Sequence, residues 1–378
     1  MQRRNPFIYG EIVERPQFVN REKEIRNLVR DVSDGQKVFL LSPRRFGKSS
    51  LVGVVFEALR KRGIHTAVIP VSSYASYSQF LEKFAEKVLK AAGPWQKVKD
   101  WAGHFLRQVT PQAKVDLGTG DISISLGRGA EFDPSPVAPE VFSVAGELAR
   151  KGGFRMAICL DEFQQISTFD GESVEAALRD AIQRQRGVGY VFAGSQPSLM
   201  DEMLGAKRPF HKAGPVYFLD KIPKADWEAF ILGEFGKRGR TLAPAALESL
   251  LSTADLIPYD VQRIAHELWD YAELAGKKTL EEADVRAVVE QLKQSQSDYY
   301  ERLWEHLSRR QRAVLQALAS RGAASIYSQA VRNEYGLGPS SSVQKALASL
   351  DAQDILDQYK GSYFFVDPLF SIWIKGIA

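Results

Sequence analysis

One stretch of the sequence has the residue types and spacing of a phosphate-binding loop. The stretch consists of the consecutive residues Ser42, Pro43, Arg44, Arg45, Phe46, Gly47, Lys48, Ser49 and Ser50. Apart from a serine in place of the first glycine, it matches the pattern GxxxxGK[ST]. In such a loop the backbone N–H groups face phosphate oxygens, the lysine reaches the β and γ phosphates and the next hydroxyl is a Mg²⁺ ligand. The stretch therefore predicts a site for a nucleoside triphosphate with Mg²⁺, and an ordinary strand-to-helix turn is the alternative.

A pair of acids supplies the second half of this chemistry. Asp161 and Glu162 end the apolar run that begins at Met156. An aspartate at the end of a strand can hold Mg²⁺, and the following glutamate can orient the attacking water. An Asp-Glu pair at a strand end is otherwise commonly a solvated turn. The phosphate-binding pattern at Lys48 favours the catalytic interpretation.

The elements around these motifs alternate between strands and helices. Val38–Leu41 predicts a strand, the residues after Lys48 have helical spacing up to Gly63, and His65–Ser72 predicts a second strand. Later strands are predicted at 154–160, 187–193 and 215–222. This alternation is typical of a parallel sheet with helices on both faces. The predicted fold class is therefore α/β.

The rest of the chain predicts a hairpin and two further domains. Residues 112–126 alternate apolar and polar residues around a Gly-Thr-Gly turn, which indicates a β-hairpin insertion, and a helix is predicted over 94–108. Residues 224–302 have the pattern of successive helices. Three helices and two short strands near the C-terminus indicate a winged helix. We expect an ATPase-like α/β domain over 1–222, a helical lid subdomain over 223–301 and a winged-helix domain over 302–378.

Composition sets broad limits on the function. The 378 residues are 44% hydrophobic and 25% charged, and 50 basic against 46 acidic side chains give a net charge of +4. Such a small charge by itself does not indicate a nucleic-acid partner. No apolar run approaches the roughly 20 residues of a membrane span, and the N-terminus lacks the pattern of a secretory signal. We therefore expect a cytoplasmic protein, in which the single Cys159 is a core residue.

The motifs together resemble a known family. Besides the two motifs above, the chain has NPFIYG at 5–10, FVNREKEI at 18–25, AGSQ at 193–196 and DPLFSIWI at 367–374. With these segments it resembles the archaeal-type ATPases of the STAND clade, which belong to the AAA+ superfamily of P-loop ATPases. The resemblance covers nearly the whole chain. It implies ATP and Mg²⁺ as cofactors and ATP hydrolysis as the activity.

The resemblance also implies roles for residues outside the two motifs. Val19 and Arg21 would lie against the adenine, although Arg21 could equally form a surface ion pair. Ser195 would be the sensor 1 residue near the γ phosphate, where the alternative is a strand-ending turn. Relatives carry an arginine finger in a segment like 208–212; here the aligned position holds Lys212, so either Arg208 serves or hydrolysis is weak.

Two further positions keep two interpretations each. Pro258 would contact the base by the same resemblance, but a proline in the first turn of a helix is an equal alternative. Arg44 and Arg45 could bind phosphate, or they could pair with acids that shape the site without nucleotide. The resemblance favours the nucleotide role for both arginines.

Three functions are compatible with these patterns. The first is an ATP-operated conformational switch that contacts a protein partner, as yet unidentified, through the winged helix. The second is a nucleotide-dependent DNA-binding regulator, which the charge of the predicted recognition helix at 341–354, with one lysine and two aspartates, disfavours. The third is a nucleotide-binding scaffold with little turnover. Oligomerisation stays open, because an arginine finger can act between subunits.

Overall fold

A computed structural model describes residues 5–93, 114–116, 123–125 and 133–377 of the chain. Within it the chain forms two compact units. The first, here called the sheet unit, contains residues 21–42 and 48–219. The second, here called the helical unit, contains the N-terminal segment up to Asn20, the loop Pro43–Gly47 and the chain from Asp220 onward.

The sheet unit is built on a five-stranded parallel sheet in the order β2-β5-β6-β1-β7. These strands are β1 (Lys37–Leu41), β2 (His65–Pro70), β5 (Met156–Asp161), β6 (Val188–Gly194) and β7 (Val216–Phe218). Two further strands, β3 (Lys114–Asp116) and β4 (Ser123–Ser125), pair with each other in antiparallel register within the region where the sequence predicts a hairpin. The predicted parallel α/β sheet is confirmed.

Six helices lie among the described residues of the sheet unit. They are α1 (Glu22–Ser33), α2 (Lys48–Arg60), α3 (Tyr77–Ala92), α4 (Ala138–Gly152), α5 (Ser167–Gln183) and α6 (Pro197–Met203). Helices α1 and α2 pack on each other and against strands, while α3, α4 and α5 form a second packed group. The helix predicted over 94–108 lies outside the described residues.

Alternation along the central strands explains why the sheet is covered on both sides. Phe39 and Leu41 of β1 and Phe192 of β6 belong to one core cluster with α3, α4 and α5. The intervening residues Leu40 and Val191 are equally buried but lie outside that cluster. Successive side chains of a strand point to opposite faces, so each strand needs an apolar cover on both sides. For this reason the central strands appear in the sequence as continuous apolar runs.

The helical unit has nine helices among its described residues. They are α7 (Lys224–Gly236), α8 (Pro244–Thr253), α9 (Pro258–Leu274), α10 (Glu282–Ser295), α11 (Ser297–His306), α12 (Arg309–Arg321), α13 (Gln329–Glu334), α14 (Ser340–Ala352) and α15 (Pro368–Ile377). Three of them begin at a proline. Proline fits the first helical position because a backbone N–H there has no acceptor within the helix, so nothing is lost when proline lacks one. Strands β8 (Thr241–Leu242) and β9 (Thr279–Leu280) form a short parallel bridge that the sequence analysis does not predict.

The C-terminal part contains the predicted winged helix. Its wing consists of β10 (Leu356–Tyr359) and β11 (Ser362–Phe365), which pair antiparallel around the Lys360-Gly361 turn. One continuous apolar core joins helices α7–α10 to this C-terminal part. The boundary predicted at 301/302 therefore stays a prediction.

None of the described helices is long and apolar enough to cross a bilayer.

Candidate nucleotide-binding site

The site in the sheet unit is centred on the lysine of the phosphate-binding pattern. Lys48 is the first residue of α2, directly after a loop that follows β1. Its Nζ lies 2.5 Å from Asp161 Oδ1 and 3.2 Å from Glu162 Oε1, and its side chain is only 6% exposed. Strands β1 and β5 are parallel, so their C-terminal ends meet at one edge of the sheet. This topology brings together the two motifs that the sequence predicts.

A hydroxyl and a carboxylate lie side by side where a Mg²⁺ ion would bind. Ser49 Oγ is 3.3 Å from Asp161 Oδ2. Mg²⁺ takes hard oxygen ligands at about 2.0–2.1 Å in an octahedron, so neighbouring ligands lie about 2.9 Å apart. The two oxygens are close to that separation, and Ser49 is exposed, which leaves room for waters and phosphate oxygens. The residues present therefore fit a Mg²⁺ ion.

The carboxylate of Glu162 is fixed by donors on both oxygens. Lys48 donates to Oε1, while the Ser195 hydroxyl and Gln164 Nε2 both donate to Oε2, the latter at 2.7 Å. The backbone of Glu162 is left-handed, with φ at 53°. A non-glycine residue in this region costs roughly 1 kcal/mol or more, and such strain concentrates at functional sites. The fold thus holds Glu162 in a defined position just beyond the end of β5.

Gln164 is a residue of this cluster that the sequence analysis does not assign to it. Its side chain is 2% exposed, and Nε2 also lies 3.4 Å from Ser195 Oγ. Gly194 makes room for it, since a Cβ there would lie 3.2 Å from Gln164 Oε1 and 2.4 Å from Met200 Cγ. The signal in the sequence is a glutamine two positions after Glu162, directly beyond a buried strand.

Burial and charge act in opposite directions on the two main ionisable groups of the site. Burial lowers the pKa of Lys48, but the nearby carboxylates of Asp161 and Glu162 outweigh it and leave that pKa raised. Burial raises the pKa of Glu162, but Lys48 and the hydrogen bonds from Ser195 and Gln164 leave that pKa lowered. Around neutral pH the lysine is therefore a cation and the glutamate an anion able to accept a proton.

The loop between Ser42 and Lys48 packs within the helical unit. Phe46 is 1% exposed, and its ring centroid lies 5.6 Å from that of Tyr359 and 6.0 Å from that of Phe364, both in the wing. The Arg44 backbone N–H donates to Asp357 Oδ2 at 3.1 Å. Gly47 has a φ of 85°, which explains the glycine before the lysine.

Arg45 faces a second acidic group of the helical unit. Its Nη1 lies 3.6 Å from Asp260 Oδ1 and 4.0 Å from Asp367 Oδ2, and the guanidinium lies 4.8 Å from the Tyr259 ring centroid. Neither Asp260 oxygen has a hydrogen-bond partner among the described residues, although Asp260 is 1% exposed. Burial raises the pKa of Asp260 to about 7, and Asp367 adds to the rise while Arg45 and Arg263 oppose it.

The two candidate finger residues have different surroundings. Arg208 donates to Glu172 at 2.6 Å and to the fully buried Glu175 at 2.5 Å. Burial raises the pKa of Glu175, although Arg208 opposes the rise. Lys212 is exposed, with a left-handed backbone at φ 51°. In this structure both positions lie in the sheet unit, and Arg208 is engaged by acids of α5.

The remaining predicted residues have the following positions. Arg21 is buried at the start of α1 and lies 3.5 Å from Glu24, and Val19 belongs to the core of the helical unit. Ser42 is fully buried, with its N–H donating to the Gly194 carbonyl at 3.2 Å. Ser50 is buried in α2, and Pro43 is buried in the loop before it. Pro258 is the first residue of α9. Their roles toward a nucleotide stay predictions.

Comparison with protein families gives one match. Residues 298–376 match the model of a probable winged helix domain, which confirms the C-terminal fold. A search of curated proteins finds no match.

Solved structures give the fold of the whole chain. The Walker-type ATPase PABY2304 of Pyrococcus abyssi is similar with a TM-score of 0.65 at 18% identity, over 98% of this chain and 99% of that chain. The ORC2 protein of Aeropyrum pernix, in ADPNP-ADP complexes, gives 0.59 at 16% identity over 100% and 96%. The Aeropyrum pernix ORC1 protein in complex with DNA gives 0.52 at 13% over 94% and 92%. These likenesses show the fold, a parallel α/β sheet with a C-terminal winged helix.

Proposed function

We propose that this protein binds ATP with Mg²⁺ at the Lys48 site, hydrolyses it and uses the γ phosphate as a conformational switch. The observation that carries the proposal is the cluster of Lys48, Ser49, Asp161, Glu162 and Ser195 at one edge of a parallel sheet. Fold alone does not define activity. The cluster supports phosphoryl chemistry because it combines a cation, two oxygen ligands for a metal and a fixed carboxylate.

The proposed chemistry assigns one task to each side chain. Lys48 leaves its carboxylate partners and binds β and γ phosphate oxygens. Ser49 and Asp161 would hold Mg²⁺, which would neutralise phosphate charge. Glu162 orients a water and takes its proton as the water oxygen bonds to the γ phosphorus. The bond from that phosphorus to the bridging oxygen breaks, and ADP and phosphate leave. Ser195, beside Glu162, is placed to sense the γ phosphate.

The switch is supported by the way the phosphate-binding pattern is built into the chain. Residues 43–47 pack within the helical unit, whereas Lys48 begins a helix of the sheet unit. A switch requires a ligand that binds two conformations with different affinities. A nucleotide meets this requirement if it orders these consecutive residues in one way with its γ phosphate and in another way without it. We propose that the winged helix carries the resulting change to a protein partner.

Calorimetry in Mg²⁺ with ATP, ADP and GTP tests binding, and phosphate release from the same samples tests turnover. Lys48→Ala should abolish binding and release because the main phosphate contact is lost. Lys61→Ala is the matched control, since Lys61 follows the same helix but is exposed and pairs with Glu57. Equal ATP affinity in the parent and in Lys48→Ala would contradict the proposal.

A nucleotide-binding scaffold with little turnover is the second candidate. It is favoured by the engagement of Arg208 with Glu172 and Glu175, which keeps this arginine from acting as a free finger. The scaffold predicts ATP binding that depends on Lys48 and no phosphate release at any protein concentration. Release that rises with protein concentration would instead indicate a finger supplied by a neighbouring subunit.

A further inference from the structure

The wing carries a carboxylate that accepts a hydrogen bond from the backbone of the phosphate-binding pattern. The Arg44 N–H, third in the phosphate-binding pattern, donates to Asp357 Oδ2 at 3.1 Å. Asp357 is 8% exposed and comes from β10, 313 residues further along the chain. Backbone N–H groups of such loops are phosphate donors, and a carboxylate resembles a phosphate in charge and acceptor geometry. Asp357 therefore occupies a backbone N–H of the predicted phosphate-binding loop.

Other groups of the loop are also engaged within the helical unit. Arg44 Nη1 lies 2.6 Å from Asp354 Oδ2, just before the wing. Phe46 is buried against Tyr359 and Phe364. The Tyr259 N–H donates to the Arg45 carbonyl at 3.3 Å. Each of these contacts lies within the helical unit, so the loop is held by polar and apolar contacts together.

These contacts are of a strength that a ligand could displace. The pair of Arg44 and Asp354 is 35% and 42% exposed, and ion pairs with that exposure contribute little. Arg45 and Asp260 are 3.6 Å apart without a hydrogen bond, and a buried ion pair without full hydrogen bonding is a poor source of stability. The hydrogen bond from Arg44 to Asp357 is thus the main polar contact of the held loop.

We propose that Asp357, assisted by Asp354, is an internal competitor of nucleotide phosphate for the loop at 43–47. When the wing holds the loop, the Arg44 N–H and guanidinium are occupied by carboxylates, and nucleotide must displace them to bind. When nucleotide occupies the loop, the wing is released. This inference rests on the proposed nucleotide binding and adds to it the group that opposes binding. The apparent ATP affinity of the parent is then the intrinsic affinity multiplied by the fraction of molecules whose loop is free.

The test compares acid-to-amide variants of the full chain. Asp357→Asn keeps the side-chain shape and removes the charge, and Asp354→Asn does the same at the more exposed position. Glu334→Gln is the matched control, because Glu334 is an acid of the same domain that pairs with Arg321 rather than with the loop. ATP affinity is measured by calorimetry in Mg²⁺, and thermal unfolding shows whether each variant is folded. Tyr359→Ala, which removes the ring beside Phe46, replaces Asp357→Asn if that variant does not fold.

Asp357→Asn should bind ATP about tenfold more tightly, Asp354→Asn about two- to threefold, and Glu334→Gln like the parent. In the parent, ATP should also increase hydrogen exchange in the peptide over 354–361, and Lys48→Ala should show no such increase. A folded Asp357→Asn with unchanged or weaker ATP affinity would overturn the competition while leaving the proposed function intact. If neither the parent nor Asp357→Asn binds any nucleotide, the proposed function fails, and the competitor role fails with it.

Discussion

Two groups of cations and carboxylates, one in each unit, differ in how completely their hydrogen bonds are satisfied. In the sheet unit, both oxygens of Glu162 accept hydrogen bonds, from Lys48 on one side and from Ser195 and Gln164 on the other. In the helical unit, Asp260 is far more buried, at 1% exposure against 29% for the Glu162 side chain, yet neither of its oxygens has a partner among the described residues. Both groups neutralise residues of the same phosphate-binding pattern.

The difference fits the two tasks proposed above for these groups. A half-buried carboxylate with several donors keeps its charge and its position, which general base chemistry requires. A buried carboxylate without donors is held at a cost and gains little from its cation, which suits a contact that must separate. Three predictions test this contrast, and a fourth tests the finger position at Lys212; they run from the largest expected effect to the smallest.

Glu162→Gln should remove most of the turnover and keep ATP binding. The amide cannot take a proton from water, and loss of a general base lowers rates by about 10²–10⁴-fold. Phosphate release and calorimetry on the same protein measure the two properties. Glu140→Gln, an exposed position on α4, is the control. Full release by Glu162→Gln would remove Glu162 from the mechanism.

Asp260→Asn should remove a pH dependence from the stability of the protein. The pKa of Asp260 is raised from 3.8 to about 7, so its contribution to stability is fully present below pH 4 and is lost as pH rises through 7. The groups that act on it are Arg45, Arg263, Asp367 and Asp255. The loss amounts to about 4 kcal/mol, from about 1.4 kcal/mol for each pKa unit.

Urea unfolding of the parent and of Asp260→Asn at several values between pH 4 and pH 8 measures this loss. Because Asp357 also has a pKa raised to about 6, chiefly by burial, the variant should retain a smaller slope. Identical slopes in the two proteins would show that Asp260 does not titrate in this range. Asp298→Asn, in the first turn of α11, is a control from the same unit.

Gln164→Ala should lower kcat about tenfold and shift its pH profile, because one net hydrogen bond to a charged group is worth roughly 1.5–3 kcal/mol. The pKa of Glu162 is lowered in part by the hydrogen bond from Gln164. Losing that donor raises the pKa, so the acid limb of kcat should move to higher pH. Gln165→Ala, at the adjacent and less buried amide, is the control. A lower kcat with an unmoved acid limb would assign Gln164 a purely structural role.

Lys212→Arg should raise phosphate release a few-fold if the finger acts between subunits. Arginine offers a bidentate fork to phosphate where lysine offers a single point charge. Lys207→Arg is a close control, because Lys207 is also exposed and has a left-handed backbone. Release is measured at several protein concentrations. A gain independent of concentration, or equal in both variants, would argue against Lys212 as a finger in trans.

Much of the sheet unit is predictable from the sequence, because its signals are local. The apolar runs at 38–41 and 156–160, the helical spacing after Lys48 and the acids at 161–162 each lie within a few residues. Parallel strands then place their C-terminal ends together, so the meeting of Lys48 with Asp161, 113 residues away, follows from topology. The winged helix is similarly predictable from three helices and a hairpin around Lys360-Gly361.

Other features depend on contacts for which no local pattern exists. The role of Gln164 depends on the left-handed turn at Glu162 and on the space at Gly194. The sequence makes Arg208 a candidate arginine finger, yet in the fold its guanidinium pairs with Glu172 and Glu175 of α5. Such pairings depend on how helices pack, and packing is decided by shape and burial over the whole unit.

The sequence by itself determined the α/β class, the phosphate-binding pattern and the acids that could serve it, since these follow from periodicity and spacing along the chain. Only the tertiary structure decided that residues 43–47 pack with the helical unit and that Arg44 faces Asp357. The physical reason is that a carboxylate 313 residues away can take the place of a phosphate only after the chain has folded around it.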